Sequence, residues 1–341
     1  MTGKTTGKTT GKTGVRIVRH TRTSKVATGV VVPLVVVLAA LPYYAPGSVT
    51  RLLVDLFALV VLASMWNLLA GYGGMISVGQ QGFLGIGAYT VLVADLAGLD
   101  PFLAVPIAAV VAGLVALPTS FLVFRLYGGY FAIGTWVVAE VFRLLTVEVG
   151  AVGGGSGASV TGLSAYAPAL RGAVIYWWAL AALIAAVGGV FLLMRSRLGL
   201  ALTAIRDEPT AADSLGVRVR SAKRVVFVLA AAGCGVAGAI IVLDSLRVQP
   251  DSVYSVQWSA FMIFMVVIGG LGTIEGPVIG AIVFFALQQL LSPFGSWYLV
   301  VLGAVAVLAA LFARRGLFGL LTRGSDVRLF PTGYRVRAPA E

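Results

Sequence analysis

The chain has 341 residues, 59% of them apolar and only 11% charged, with a net charge of +12 and a mean hydropathy of +0.98. A soluble domain carries about 25% charged residues, so this composition excludes a water-soluble globule and indicates a polytopic membrane protein. A single cysteine, Cys234, and a single histidine, His20, exclude an intrachain disulfide and argue against His/Cys metal centres and histidine-based catalytic triads.

Residues 1–25 hold seven Lys/Arg and three TGKT tetrads, at 2–5, 6–9 and 10–13. The tetrads are not a P-loop, because that motif needs four residues between its first glycine and the G-K pair, and Gly3, Gly7 and Gly11 are separated by three. The segment reads as a disordered basic cytoplasmic tail near anionic lipid. An apolar, membrane-spanning region follows over 26–313. Spans are expected at Val26–Tyr44, Leu52–Gly71, Val78–Ala97, Pro101–Phe124, Tyr130–Val149, Ala173–Met194, Val225–Leu243, Trp258–Ile268, Val278–Leu291 and Trp297–Ala313. The first has a long basic leader and no clear cleavage site, so it reads as a retained span. The expected fold is all-α: a membrane bundle of about 8–10 transmembrane helices, with glycine-rich broken or re-entrant segments.

Charge orients this bundle. Twenty of the 25 Lys/Arg fall in three places: seven in 1–25, seven in 195–224 and six from Arg314 onward. The positive-inside rule puts all three in the cytoplasm. Six spans between the first two and four between the last two return each to the same side, and the external connections carry only Arg51, Arg171 and Arg247. The tail 314–341 is then cytoplasmic, as is the N-terminus.

Two glycine-rich segments begin at cytoplasmic ends of hairpins: Gly71–Tyr89 and Gly269–Ala281. They share a loose G-x-x-G-x-I spacing, at Gly71, Gly74, Ile76 and at Gly269, Gly272, Ile274. Glycine at this density means either close helix packing or broken helices whose backbone lines a wet cavity. On the second reading, Ser77, Gly79, Gln80, Gln81, Gly85, Gly87, Gly269, Gly270, Gly272 and Gly276 are candidates for a translocation path. A third irregular segment, 150–172, faces outside and is either a flexible loop or a surface for an external partner.

Ionisable residues within or beside spans are few: Asp55, Asp95, Glu140, Arg143, Glu148 and Asp244. Glu140 is at mid-span, three residues from Arg143, so the two are expected to pair. A proton-driven carrier needs a relay of several acids at depth, which this set does not supply. Nor is there a Walker A motif, a metal cluster or a nucleophile constellation, so no cofactor is expected, and energy has to come from another chain. The cytoplasmic loop 195–224 is where another chain can reach. Asp207 and Glu208 are expected at a helix N-terminus, Pro209 in its first turn, Ala211, Ala212 and Leu215 on a small apolar face, and Gly216 at its end. That is a helix of about eight residues, about 12 Å long.

Four ordered motifs carry a family resemblance. AIRDEPTAADSLGV at 204–217 resembles the coupling motif of the permease subunits of branched-chain amino acid ABC importers of the LivM type, with Ala204, Ile205, Arg206, Asp207, Ala211, Ala212, Gly216 and Val217 matching A-I-R-D-x-x-x-A-A-x-x-x-G-[VI]. Gly71–Tyr89, GGYFAIGTWVVAEVFRL at 128–144 and VVIGGLGTIEGPVIGA at 266–281 are similar to that family's other signatures. The resemblance runs from about Leu52 to Phe312. The TGKT tail and the external GGGSGASVTGL at 153–163 depart from the family pattern. The resemblance implies a non-enzymatic transport subunit of a bacterial cytoplasmic membrane, paired with a second related permease. Two cytosolic ABC ATPases would engage Ala204, Ile205, Arg206, Asp207, Glu208, Ala211, Ala212 and Gly216, and an external solute-binding protein would deliver a branched-chain or other hydrophobic amino acid. Urea or a short amide is the close alternative solute; a secondary carrier or channel is the alternative of a different class.

Overall fold

The computed structural model describes residues 16–18, 22–295, 297–312, 316–321 and 335–337. Most of the basic N-terminal tail, with its TGKT tetrads, lies outside them. The described chain is a helical bundle. Its elements are β1 (Arg16–Val18), α1 (Arg22–Ala40), α2 (Gly47–Asn67), α3 (Gln80–Leu96), α4 (Ala104–Val123), α5 (Gly129–Glu148), β2 (Ala158–Ser159), α6 (Pro168–Met194), α7 (Arg197–Asp207), α8 (Pro209–Ser214), α9 (Val219–Ser245), β3 (Arg247–Val248), α10 (Pro250–Val253), α11 (Val256–Gly269), α12 (Glu275–Leu291), α13 (Trp297–Phe312), α14 (Gly316–Leu321) and β4 (Arg335–Arg337).

Each of the ten expected spans corresponds to a helix, with ends displaced by a few residues. Among the described residues six stretches are long and apolar enough to cross a bilayer: Gly47–Tyr72, Pro101–Val123, Gly129–Glu148, Pro168–Met194, Val219–Ser245 and Pro250–Gly269. The short span expected from Trp258 gains length from α10 in front of α11, and the two together run for 20 residues. Shorter apolar helices at Val32–Tyr43, Glu275–Leu291 and Leu299–Leu308 add to them. The chain is a multi-pass membrane protein.

The core is built on α2, α3 and α9. Between Phe57 and Tyr72 nearly every residue of α2 and its terminal π turn is buried. A helix that is apolar all round and buried all round belongs at the centre of a bundle. Small residues let α3, α4 and α9 approach closely. A Cβ at Gly87 would overlap the carbonyl of Gly235, and one at Gly238 would overlap the carbonyl of Leu84. Cys234, on the same stretch of α9, is fully buried, and its thiol donates to Gln80 Oε1 at 3.5 Å. By contrast α5 is mostly exposed, with Tyr130, Ile133, Trp136, Val137 and Leu145 turned outward.

The segment 150–172 is tied down rather than loose. β2 pairs antiparallel with β3, Ala158 opposite Val248. Asp95 accepts from the amides of Thr161 and Gly162, each at 2.8 Å, while Val160 and Leu163 are buried. Tyr166 donates to Asp100 Oδ2 at 2.7 Å, a bond that holds the phenol above its ordinary pKa.

Candidate coupling site and the glycine turns beneath it

The loop 195–224 folds as two helices, where a single one of about eight residues is expected from sequence. α7 has 11 residues and α8 has six. The break has a local cause. Pro209 disfavours the helical region for the residue before it, and Glu208 is extended at φ −156°, ψ 101°. Asp207 therefore ends α7 rather than opening a helix. Glu208 alone caps α8, its carboxylate accepting from the Thr210 amide at 3.3 Å. Pro209 occupies the first turn, as its sequence position predicts. Gly216 closes the helix at φ +82°, where Val217 N–H reaches back to Ala212 O at 3.1 Å. That is the left-handed C-terminal geometry glycine favours.

The two helices divide their side chains between protein and water. Leu202, Ile205 and Ala212 are buried, whereas Asp207, Ala211 and Leu215 are exposed. The expected apolar face of Ala211, Ala212 and Leu215 is thus split: Ala212 anchors α8 inward, and Ala211 with Leu215, four residues apart, point away. Ala204 is half-buried, packed against the core.

Arg206 links this surface to the bundle. Its Nη1 donates to Gly71 O at 3.2 Å, and its Nε and Nη2 donate to Asp207 Oδ1 at 3.3 Å. The guanidinium also lies against the second glycine segment, where a Cβ at Gly272 would stand 3.3 Å from Nη1. Beneath it the two glycine turns touch. Asn67, at the end of α2, accepts from Gly272 N–H at 2.8 Å and donates to Thr273 O at 2.8 Å. A Cβ at Gly71 would come within 2.7 Å of Gly272 N. The equivalent positions of the loose repeat, Gly74 and Gly272, both hold positive φ, at +65° and +74°. The C-terminal helix α14 rests on the same turn: a Cβ at Gly316 would overlap Gly270.

Asn67, which ties the two glycine turns together, is a residue that the sequence motifs do not single out. A lone amide in the apolar run 52–70 was its visible signal. Its partners lie more than 200 residues away, which no local pattern reports.

The candidate path residues occupy close contacts. Ser77, Gln80 and Gln81 are buried. Ser77 O accepts from Trp66 Nε1 at 2.8 Å, Gln80 Nε2 donates to Ser77 Oγ at 3.4 Å, and Gln81 accepts from Ser259. A Cβ at Gly79 would overlap Thr135 O, one at Gly85 the ring of Tyr254, one at Gly269 the carbonyl of Gly276, and one at Gly276 the carbonyl of Gly270. The expected pair on α5 is present: Arg143 donates to Glu140 Oε1 at 2.8 and 2.6 Å. It has a third member, Asp251, at 2.7 Å.

A groove of about 730 Å³ runs between α8, the foot of α9, the Gly74–Ile76 loop and the turn from α4 to α5. Pro209, Thr210 and Asp213 form one wall, with Arg218, Arg220 and Lys223 at the foot of α9.

Comparison with known proteins places this architecture. The family described as "Branched-chain amino acid transport system / permease component" matches residues 48–310. The chain belongs to this family. The matched region takes in α2 through most of α13, including both glycine turns, α7 and α8. The high-affinity branched-chain amino acid transport system permease protein LivM of Escherichia coli (strain K12) is 29% identical over 303 residues, covering 80% of this chain and 71% of the relative. The LivM protein of Salmonella typhimurium (strain LT2) is 27% identical over the same shares. No solved structure matches the chain. The chain is therefore a membrane permease component of a transport system, and its relatives are named for branched-chain amino acids.

Proposed function

We propose that this permease is the membrane path of an ATP-driven importer for branched-chain and other hydrophobic amino acids. Two cytosolic ATPases drive it through α7 and α8, and an external binding protein loads it. The observation that carries the coupling role is the bond from Arg206 to Gly71 O at 3.2 Å, above the Asn67 clamp on Gly272 and Thr273. A push on α7 reaches both glycine turns without an intermediary, and the turns head α3 and α12. In this reading the exposed Ala211 and Leu215 meet the ATPase, and the adjacent groove with its Arg218, Arg220 and Lys223 admits part of it. The basic ends lie in the cytoplasm against anionic lipid. The glycine segments act as tight pivots in the wall of the path.

A second, related permease covers α5. Glu140, 42% exposed at its side chain, and Arg143, 26% exposed, lie on a helix that crosses the bilayer. Charges at such depth face protein or water, not lipid, so this face lies against a partner or the path between the two subunits.

Uptake of leucine into cells carrying the complete transporter should collapse on ATP depletion and survive dissipation of the proton gradient; the reverse pattern would mean a secondary carrier. Joint replacement of Asp207 by Ala and Gly216 by Val should abolish uptake while the protein remains in the membrane. A valine at φ +82° strains the end of α8 by about 1–2 kcal/mol. Wild-type uptake by that variant would remove the coupling role from the loop.

A further inference from the structure

At the opposite end of the bundle, the structure holds a second small cavity, of about 240 Å³, between α2, α9, α11 and α12. Ligand sites usually measure about 300–1,000 Å³, so this one suits a small solute. Asp55, Gln288, Gln289 and Ser292 supply its polar lining. Among the described residues, none of these four side chains has a hydrogen-bond or ion-pair partner. Arg51, one turn before Asp55, is turned to Asp244, bonding its carboxylate at 2.9 Å and its carbonyl at 2.8 Å.

Asp55 lies eight residues into α2, about 12 Å below the helix end that the charge count assigns to the outside. Gln288 is half-buried and Asp55, Gln289 and Ser292 are open at the cavity mouth; at that depth in a bilayer a carboxylate and two amides face water, a ligand or protein rather than lipid. The rest of the wall is apolar and fixed. Leu59, Trp258 and Phe261 line it. Trp258 is anchored through Nε1 to Ser252 O at 3.0 Å and meets the Phe261 ring edge-on at 6.0 Å.

We propose that this cavity is a solute-binding site of the permease itself, which takes an aliphatic amino acid as its zwitterion. Asp55 receives the α-ammonium group, the Gln288 and Gln289 amides donate to the carboxylate, and the aliphatic side chain lies against Leu59, Trp258 and Phe261. The assignment rests on the transport reading above. It also gives that reading a basis for selection: a neutral amide such as urea has no cation for Asp55.

The test uses the complete transporter in proteoliposomes with loaded binding protein, ATP and radiolabelled L-leucine. Asp55→Asn keeps the shape of the side chain and removes its charge. Leucine moved per ATP hydrolysed should fall about tenfold or more, the range for losing one charge-assisted hydrogen bond. Binding-protein-stimulated ATP hydrolysis should persist, and Asp55→Glu should retain most of the uptake. Wild-type stoichiometry in Asp55→Asn would overturn the site, as would loss of ATP hydrolysis along with uptake, which marks a structural role. If the wild-type complex moves no amino acid at all, the transport reading itself falls and takes the site with it.

Discussion

A Gly87→Val chain should fail to accumulate as folded permease. The obstacle to a Cβ at this position is the carbonyl of Gly235 on α9, and a backbone atom cannot rotate aside as a side chain can. The helices would have to part along the crossing, which also opens the contact between Gly238 and the Leu84 carbonyl one turn away. Overpacking that side chains can absorb costs about 1–3 kcal/mol. Here the strain falls on the pairing of α3 with α9, one of the most extensive in the bundle, so the cost should exceed that range. Against a net stability of about 5–15 kcal/mol, such a loss leaves little folded protein. Fluorescence-detected size-exclusion chromatography of detergent extracts should show a lost or aggregated peak. The matched control is Gly113→Ala on α4, where the new Cβ would meet Val228 Cγ1 at an ordinary 3.6 Å and helix propensity improves. Gly113→Ala should elute and melt like the wild type. Equal behaviour of the two variants would mean that the α3–α9 crossing does not depend on glycine.

The same crossing shows what the sequence could and could not reveal. The helices were legible because apolar runs and charge clusters are local features. The apolar runs lead to a ten-span order, and each of those spans falls on a described helix. The glycine density was equally visible, but its meaning was not. A glycine that lets two backbones touch and one that lines a wet path look alike in one dimension, and only the position of Gly235 beside Gly87, or of Thr135 beside Gly79, separates them. The loop 195–224 shows one helix too few in its sequence because the acids before Pro209 fit a helix start. Asp207 in fact completes α7, and the extended backbone that proline imposes falls on Glu208 alone. Asp55 was visible as an acid near a span end. Its convergence with Gln288 and Gln289, more than 230 residues later, was not.

Arg206→Ala should cut uptake about tenfold while leaving the fold intact, and Asn67→Ala should damage both. The difference follows from burial. Arg206 is 40% exposed at its side chain, so its loss removes the charge-assisted bond to Gly71 O and an exposed ion pair with Asp207 from a site that water can re-solvate. Asn67 is 1% exposed. Its truncation leaves the half-buried Gly272 N–H and Thr273 C=O without their partner, at up to about 1–3 kcal/mol for each. The melting temperature should therefore fall for Asn67→Ala and hold for Arg206→Ala. Both residues act on one junction, the contact of Gly71 with Gly272. Once Asn67 is gone the two turns are no longer tied, and a push delivered at Gly71 stops there. The double variant should then transport no worse than Asn67→Ala alone, the non-additivity expected of groups in one network. Uptake measured against ATP hydrolysis in proteoliposomes gives the ratio directly. If the two losses multiply as independent effects, Arg206 and Asn67 serve separate junctions, and the coupling helices reach the α12 turn by a route other than Gly71.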